Sequence, residues 1–187
     1  ILLDPVGAGA SALRTETALL LLEKAKPTVV RGNISEIKTL AAGHGSTNGV
    51  DADVADAVTE DNLDTSVQFA KHLAQKTGAV IAITGAIDLV ADKDRCAVIR
   101  NGRPEMSKIT GTGCQLSGMM TAFAAANPDK IFEACTAAVC AMGLAGELAH
   151  SRMQPGDGNS TYRNRIIDAI YHMSGEILDG GARYAIK

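Results

Sequence analysis

The chain has no tryptophan, and aromatic residues make up only 3% of its 187 positions. It also lacks any Lys/Arg-rich run, and its formal charge of −3 is close to neutral, which argues against nucleic acid as the main partner and for small molecules. Its four cysteines, Cys96, Cys114, Cys135 and Cys140, form no Cys-x-x-Cys pair and have no neighbouring His at a zinc-ligand spacing, so a metal–thiolate centre is not expected. Cys135 and Cys140 read as core residues. No Gly-x-Gly-x-x-Gly follows the first apolar run with an acid about 20 residues on, against a dinucleotide oxidoreductase. No continuous apolar run reaches the ~18–20 residues of a membrane span, and no charged-then-apolar leader precedes Ile1. A soluble cytoplasmic protein is expected.

What is present is 46% hydrophobic residues and 19 glycines, with abundant alanine, enough for a sizeable core in which helices approach each other or a sheet closely. Residues 1–187 are expected to form a single domain. The opening Ile1-Leu2-Leu3 reads as a buried parallel strand, and without an initiator Met it reads as the interior of a longer protein. It ends in Asp4-Pro5-Val6-Gly7-Ala8-Gly9-Ala10. Ligands of open α/β sheets collect at the carboxyl ends of strands, so Asp4 is either a ligand- or metal-bridging carboxylate or a turn-forming Asp before proline.

Helical spacing from Thr15, a candidate cap, to Ala25 is followed by the short strand Thr28-Val29-Val30 and the polar Arg31-Gly32-Asn33-Ile34-Ser35-Glu36. Arg31 can bind phosphate. Asn33 and Glu36 can hold Mg²⁺ through its waters, or they can simply cap the next helix. Gly43 to Asp64 reads as an insertion or flap, and its His44 as a surface residue. Leu63 to Thr77 is an amphipathic helix ended by Gly78. Ala79 to Ile83 is the most β-like run, and Thr84 directly after it offers a hydroxyl to a phosphate or serves a turn. Leu89–Asp92 and Cys96–Arg100 pair as an antiparallel edge, with a second turn at Asn101-Gly102.

A β-like segment ending near Ser107 leads to Lys108-Ile109-Thr110-Gly111-Thr112-Gly113-Cys114, where two glycines open a helix over Gln115–Ala126. The first N–H groups of a helix lack intrahelical partners and carry partial positive charge, so Gly111, Thr112 and Gly113 form a candidate phosphate cradle. Cys114 beside them is a possible proton acceptor or a small core residue. A buried helix to about Ser151 and a more polar one over Thr161–Leu178 close the chain. Met119, Met120, Met142 and Met153 read as core filling.

Together, Asp4–Ala10 with Arg14-Thr15-Glu16, Arg31-Gly32-Asn33-Ile34-Ser35-Glu36-Ile37, Ile83-Thr84-Gly85-Ala86-Ile87-Asp88, and Asn101-Gly102 leading to Lys108–Cys114 resemble the hydroxyethylthiazole kinase family of the ribokinase-like superfamily. Cys at the last loop position, where the wider superfamily usually has Asp, is the specific mark. The resemblance covers most of the chain. It implies a three-layer α/β/α fold with a mostly parallel central sheet, an antiparallel edge and C-terminal helices. It further implies ATP-dependent phosphorylation of 5-(2-hydroxyethyl)-4-methylthiazole with Mg²⁺ in thiamine salvage, by a homotrimer with active sites between subunits. Arg31 and Thr84 would contact ATP phosphates, and Asp4 and Glu36 would lie near Mg²⁺. Gly111 would touch the thiazole alcohol, and Cys114 would stand at the catalytic-base position. The family continues upstream of Ile1, so some ring contacts fall outside this chain. The alternatives are another small-alcohol kinase of this fold, for a hydroxymethylpyrimidine or pyridoxal, and a non-catalytic nucleotide- or thiazole-binding module.

Overall fold

The structure, a computed structural model, describes residues 1–43 and 57–187; His44 and most of the expected insertion lie outside the described residues. The elements run β1 (Leu2–Leu3), α1 (Ala12–Ala25), β2 (Val29–Asn33), α2 (Ile34–Ala42), α3 (Leu63–Thr77), β3 (Val80–Thr84), β4 (Asp88–Ala91) and β5 (Cys96–Ile99). A 3₁₀ helix (Pro104–Lys108) follows, then α4 (Thr112–Ala126), α5 (Ile131–Ser151), α6 (Asn159–Tyr171), α7 (Gly175–Gly181) and β6 (Tyr184–Ile186). They form two compact units, residues 1–98 with 186–187 and residues 99–185.

The six strands form one sheet in sequential order, β1 to β6. β1–β2 and β2–β3 are parallel, with Val29 opposite Val80 and Asn33 opposite Thr84. β3–β4 is antiparallel, with Ile83 opposite Leu89, so a parallel half and an antiparallel edge are both present. Strands buried on both faces need apolar side chains at every position, and Ile81, Ala82 and Ile83 of β3 are fully buried. In the first unit Val30, Ile37, Leu40, Val67, Leu73, Ile81, Ile83 and Leu89 join one core cluster. α3 has the predicted bounds. Gly78 in the left-handed region, φ 72°, ends it and donates to the Ala74 carbonyl at 2.8 Å, as a C-terminal cap without a Cβ penalty does.

In the second unit α5 is the central helix. Cys135, Ala138, Val139, Cys140, Ala141, Met142 and Ala145 are buried along it, and small side chains there let α4 and α6 pack closely. Its 21 residues are long and apolar enough to cross a membrane, but most of them are buried within the protein. It is a core helix. Tyr162 of α6 is 3% exposed and donates its hydroxyl to the Gly146 carbonyl at 2.9 Å.

Four local expectations are corrected. The segment before the glycine loop is a 3₁₀ helix rather than β-like: Pro104 starts it, and fixed φ with no N–H suits a first helical turn. α1 begins earlier than Thr15, with Ser11 at its N-cap, and Thr15 instead donates back to the Ser11 carbonyl at 2.9 Å. The last helical pattern divides into α6 and α7, with Ser174 capping the second through Ile177 N–H. A C-terminal strand, unforeseen, follows: Cys96 and Lys187 exchange both backbone hydrogen bonds at 2.8 Å.

Candidate active site

In the first unit Leu3 leads into Asp4, and β2 carries Arg31 two residues beyond its buried Val29. Arg31 lies inside β2 rather than after it, opposite Ala82 of β3. Its NH1 donates to Asp4 Oδ2 at 3.2 Å, and its NH2 to Thr84 Oγ1 at 2.9 Å. One guanidinium thus ties together the ends of β1, β2 and β3. The forked geometry is what permits two divergent bonds from one cation. The Arg31 and Asp4 side chains are only 13% and 16% exposed, so the pair is little screened by solvent. Arg31 Nε is buried with no hydrogen-bond partner among the described residues. A buried donor of that kind suits an anion, since an unmet N–H otherwise costs desolvation energy.

The loop after β1 folds back through Val6 N–H on the Asp4 carbonyl and Ala8 N–H on the Pro5 carbonyl, each at 2.9 Å. Gly7 N–H then donates to Glu36 Oε1 at 2.9 Å. Glu36 Oε2 accepts from Asn33 N–H, and Asn33 Oδ1 accepts from Glu36 N–H, both at 2.9 Å. This is a capping box, so the helix-capping alternative for Asn33 and Glu36 is realised. The same bonds hold the Asp4–Ala10 loop against the start of α2. Among the described residues, no group of three or more His, Cys, Asp and Glu could hold a metal by itself. Mg²⁺ commonly takes one or two carboxylates together with substrate phosphates and waters. Here Asp4 Oδ2 is engaged by Arg31, and the two Glu36 oxygens by the Gly7 and Asn33 N–H groups.

Asp88 received no role from the sequence beyond its place in the quoted motif. It stands at the first position of β4, and its Oδ1 accepts from Gly85 N–H at 2.8 Å, closing the turn that leaves Thr84. Burial pushes its carboxyl up to about 7, against the Gly85 bond and the positive charge of Arg31. The readable signal was a carboxylate three residues after a strand-end glycine, the spacing of a side-chain-closed turn.

In the second unit Gly111, at φ 96°, is the N-cap of α4. That backbone suits glycine and lets the chain turn sharply from the 3₁₀ segment into the helix. Gln115 N–H makes the bond to the Gly111 carbonyl at 2.9 Å, so the N–H groups of Thr112, Gly113 and Cys114 precede the helical ladder. Cys114 is exposed, whereas Cys96, Cys135 and Cys140 are buried. Burial raises the Cys96 and Cys135 thiols to about 12, which leaves them inert at neutral pH.

A parallel sheet edge ending in a carboxylate, a guanidinium and a hydroxyl, and a helix opened by glycines, place the chain in the α/β class of the ribokinase-like fold. The chain belongs to the hydroxyethylthiazole kinase family, whose model matches residues 1–176. It is 60% identical over 184 residues to the hydroxyethylthiazole kinase of Clostridium acetobutylicum, covering 98% of this chain and 67% of that one. The Desulfovibrio desulfuricans hydroxyethylthiazole kinase is 40% identical over 190 residues, covering 97% and 67%. The solved structure of the hydroxyethylthiazole kinase protein from Pyrococcus horikoshii OT3 superposes with a TM-score of 0.80 at 26% identity, over 100% of this chain and 65% of that one. The chain therefore spans about two thirds of the length of these relatives.

Proposed function

We propose that the protein transfers the γ-phosphoryl group of ATP to the primary alcohol of 5-(2-hydroxyethyl)-4-methylthiazole, a step of thiamine salvage. The observation that carries this is Arg31, held by Asp4 and Thr84 at the strand ends with its Nε unmatched. Phosphoryl transfer has a loose transition state in which charge spreads over the phosphoryl oxygens, so positioning and neutralisation dominate. In this reading Arg31 binds the ATP phosphates with the Thr84 hydroxyl beside it, and Asp4 orients the guanidinium. Asp4 and Glu36, with Asn33 through water, hold Mg²⁺ when it is bound, and the ion supplies neutralisation of phosphate charge. The N–H groups of Gly111, Thr112 and Gly113 receive anionic oxygen. Gly111 also meets the alcohol, and Cys114 accepts its proton.

Family membership and the identity to kinases named for the thiazole support this substrate over other alcohols. Residues 1–187 act in this reading as part of one cytoplasmic kinase domain that assembles as a homotrimer with active sites between subunits. The test is an ADP-release assay of the full protein with the thiazole alcohol, a hydroxymethylpyrimidine and pyridoxal. Turnover of the thiazole at the highest kcat/KM is expected. Preference for another alcohol overturns the substrate, and ATP binding without turnover of any overturns the kinase reading.

A further inference from the structure

Thr84 is the last residue of β3, and after the short Gly85-Ala86-Ile87 segment the chain reverses into the antiparallel β4. The direction in which Thr84 presents its hydroxyl depends on that turn. The strand before it is pinned by backbone register to β2, with Asn33 opposite Thr84. On the far side, the Asp88 Oδ1 bond to Gly85 N–H at 2.8 Å pins the turn. Ile87 is 8% exposed and anchors the same turn in the core. Thr84 Oγ1 meanwhile accepts from Arg31 and donates toward the Gly32 carbonyl at 3.4 Å, so a small rotation of this residue would break the contact that orients the guanidinium.

We infer that Asp88 is a positioning residue of the nucleotide site: by closing the Thr84–Asp88 turn through Gly85 N–H, it fixes the Thr84 hydroxyl and, through it, the aim of Arg31. The inference rests on the proposed role of Arg31 and Thr84 toward phosphate. Asp88 need not touch the nucleotide to act this way. The charge of Arg31 reaches Asp88, so the carboxyl also acts on that cation electrostatically. What distinguishes the turn-closing role from this second effect is the acceptor oxygen, because an amide oxygen keeps it while the charge is lost.

The experiment compares Asp88→Asn and Asp88→Ala in the full protein. The readouts are KM for ATP, KM for the thiazole alcohol, kcat, the Kd of a non-hydrolysable ATP analogue, and hydrogen exchange at the Gly85 amide. Asp88→Ala is expected to raise the ATP KM and the analogue Kd by at least ~10-fold, the scale of one misplaced polar contact, with the alcohol KM unchanged. Gly85 exchange should accelerate in the same variant. Asp88→Asn is expected to stay within about threefold of wild type in all of these, with Gly85 still protected. Wild-type nucleotide affinity in Asp88→Ala overturns the inference. So does an Asn variant as impaired as the Ala variant, since charge rather than turn closure would then be at work. If Asp88→Ala does not fold, Asp88→Ser, too short to span the same bond, takes its place. If the wild type binds the analogue but phosphorylates no alcohol, the kinase reading fails and the Kd comparison still decides Asp88. If the wild type does not bind the analogue, both readings fall.

Discussion

A Cβ placed on Gly143 of α5 would stand 2.7 Å from the carbonyl carbon of Asn101. Asn101 is 6% exposed and donates its amide to Glu147 Oε1 at 3.2 Å and the Gly181 carbonyl at 3.0 Å, while its Oδ1 accepts from Arg183 N–H at 2.7 Å. It is the point where α5, the end of α7 and the residues after β5 meet, and neither backbone nor side chain can yield there without losing a bond. Gly143→Ala should therefore destabilise the protein by about 1–3 kcal/mol, the usual cost of overpacking. A thermal or urea melt reads this out. An unchanged midpoint would mean that α5 shifts without cost.

Arg31→Lys keeps the charge but cannot span Asp4 and Thr84 with one fork. Turnover should fall ~10²-fold or more while the fold survives. Arg31→Ala should fall further and also lower the melting temperature, because Asp4 is left largely buried without its cation. Steady-state kinetics beside a melting curve check both, and a wild-type rate in either variant would remove Arg31 from the site.

Glu36→Gln leaves one acceptor oxygen for two backbone N–H groups, those of Gly7 and Asn33. Stability should drop by about 1–2 kcal/mol. The Mg²⁺ concentration for half-maximal rate should also rise severalfold. A lower melting temperature with an unaltered Mg²⁺ requirement would restrict Glu36 to the capping box.

Burial holds the Asp88 carboxyl at about 7, above its unfolded value. The folded state then binds more protons than the unfolded state between about pH 4 and 7, so this group subtracts stability as pH rises through that window. Asp88→Asn should match wild type near pH 3, below the unfolded value, and become progressively the more stable from about pH 4 up to pH 8. Melting temperatures across that range test it, and parallel curves would show an ordinary carboxyl.

Cys114 sits in the first turn of α4, exposed. If charge neutralisation dominates the reaction, Cys114→Ala should keep a measurable fraction of turnover, less impaired than the ~10²–10⁴-fold loss of an obligatory base. Cys114→Asp should turn over as well, because a carboxylate accepts the proton and is favoured at a helix N-terminus, though it repels phosphate. Complete inactivity of both, with ATP binding intact, would make the thiol indispensable.

The residues of the sheet could be read from the sequence because burial on both faces demands unbroken apolar runs, and Val29-Val30 and Val80–Ile83 are such runs. α3 was legible to its ends, since its periodicity stops at a glycine free to adopt φ 72°. Asp4, Arg31, Glu36 and Thr84 were legible as polar residues at or beside strand ends. Their bonds to each other were not, because those depend on β1, β2 and β3 lying in one particular parallel register, between residues 27 and 53 positions apart. Local pattern likewise left Asn33 and Glu36 open between capping and metal; the capping box forms within the first turn of α2, whereas the Gly7 bond exists because the loop after β1 returns to that turn. β6 carries no sequence signal, its three residues being exposed. It is a strand because its backbone pairs along β5, flanked by the Cys96–Lys187 bonds and the Arg100 N–H bond to the Arg183 carbonyl. Asp88 carried no assigned role in the sequence, because what raises its carboxyl is desolvation by the residues packed around the start of β4, a quantity no local pattern contains.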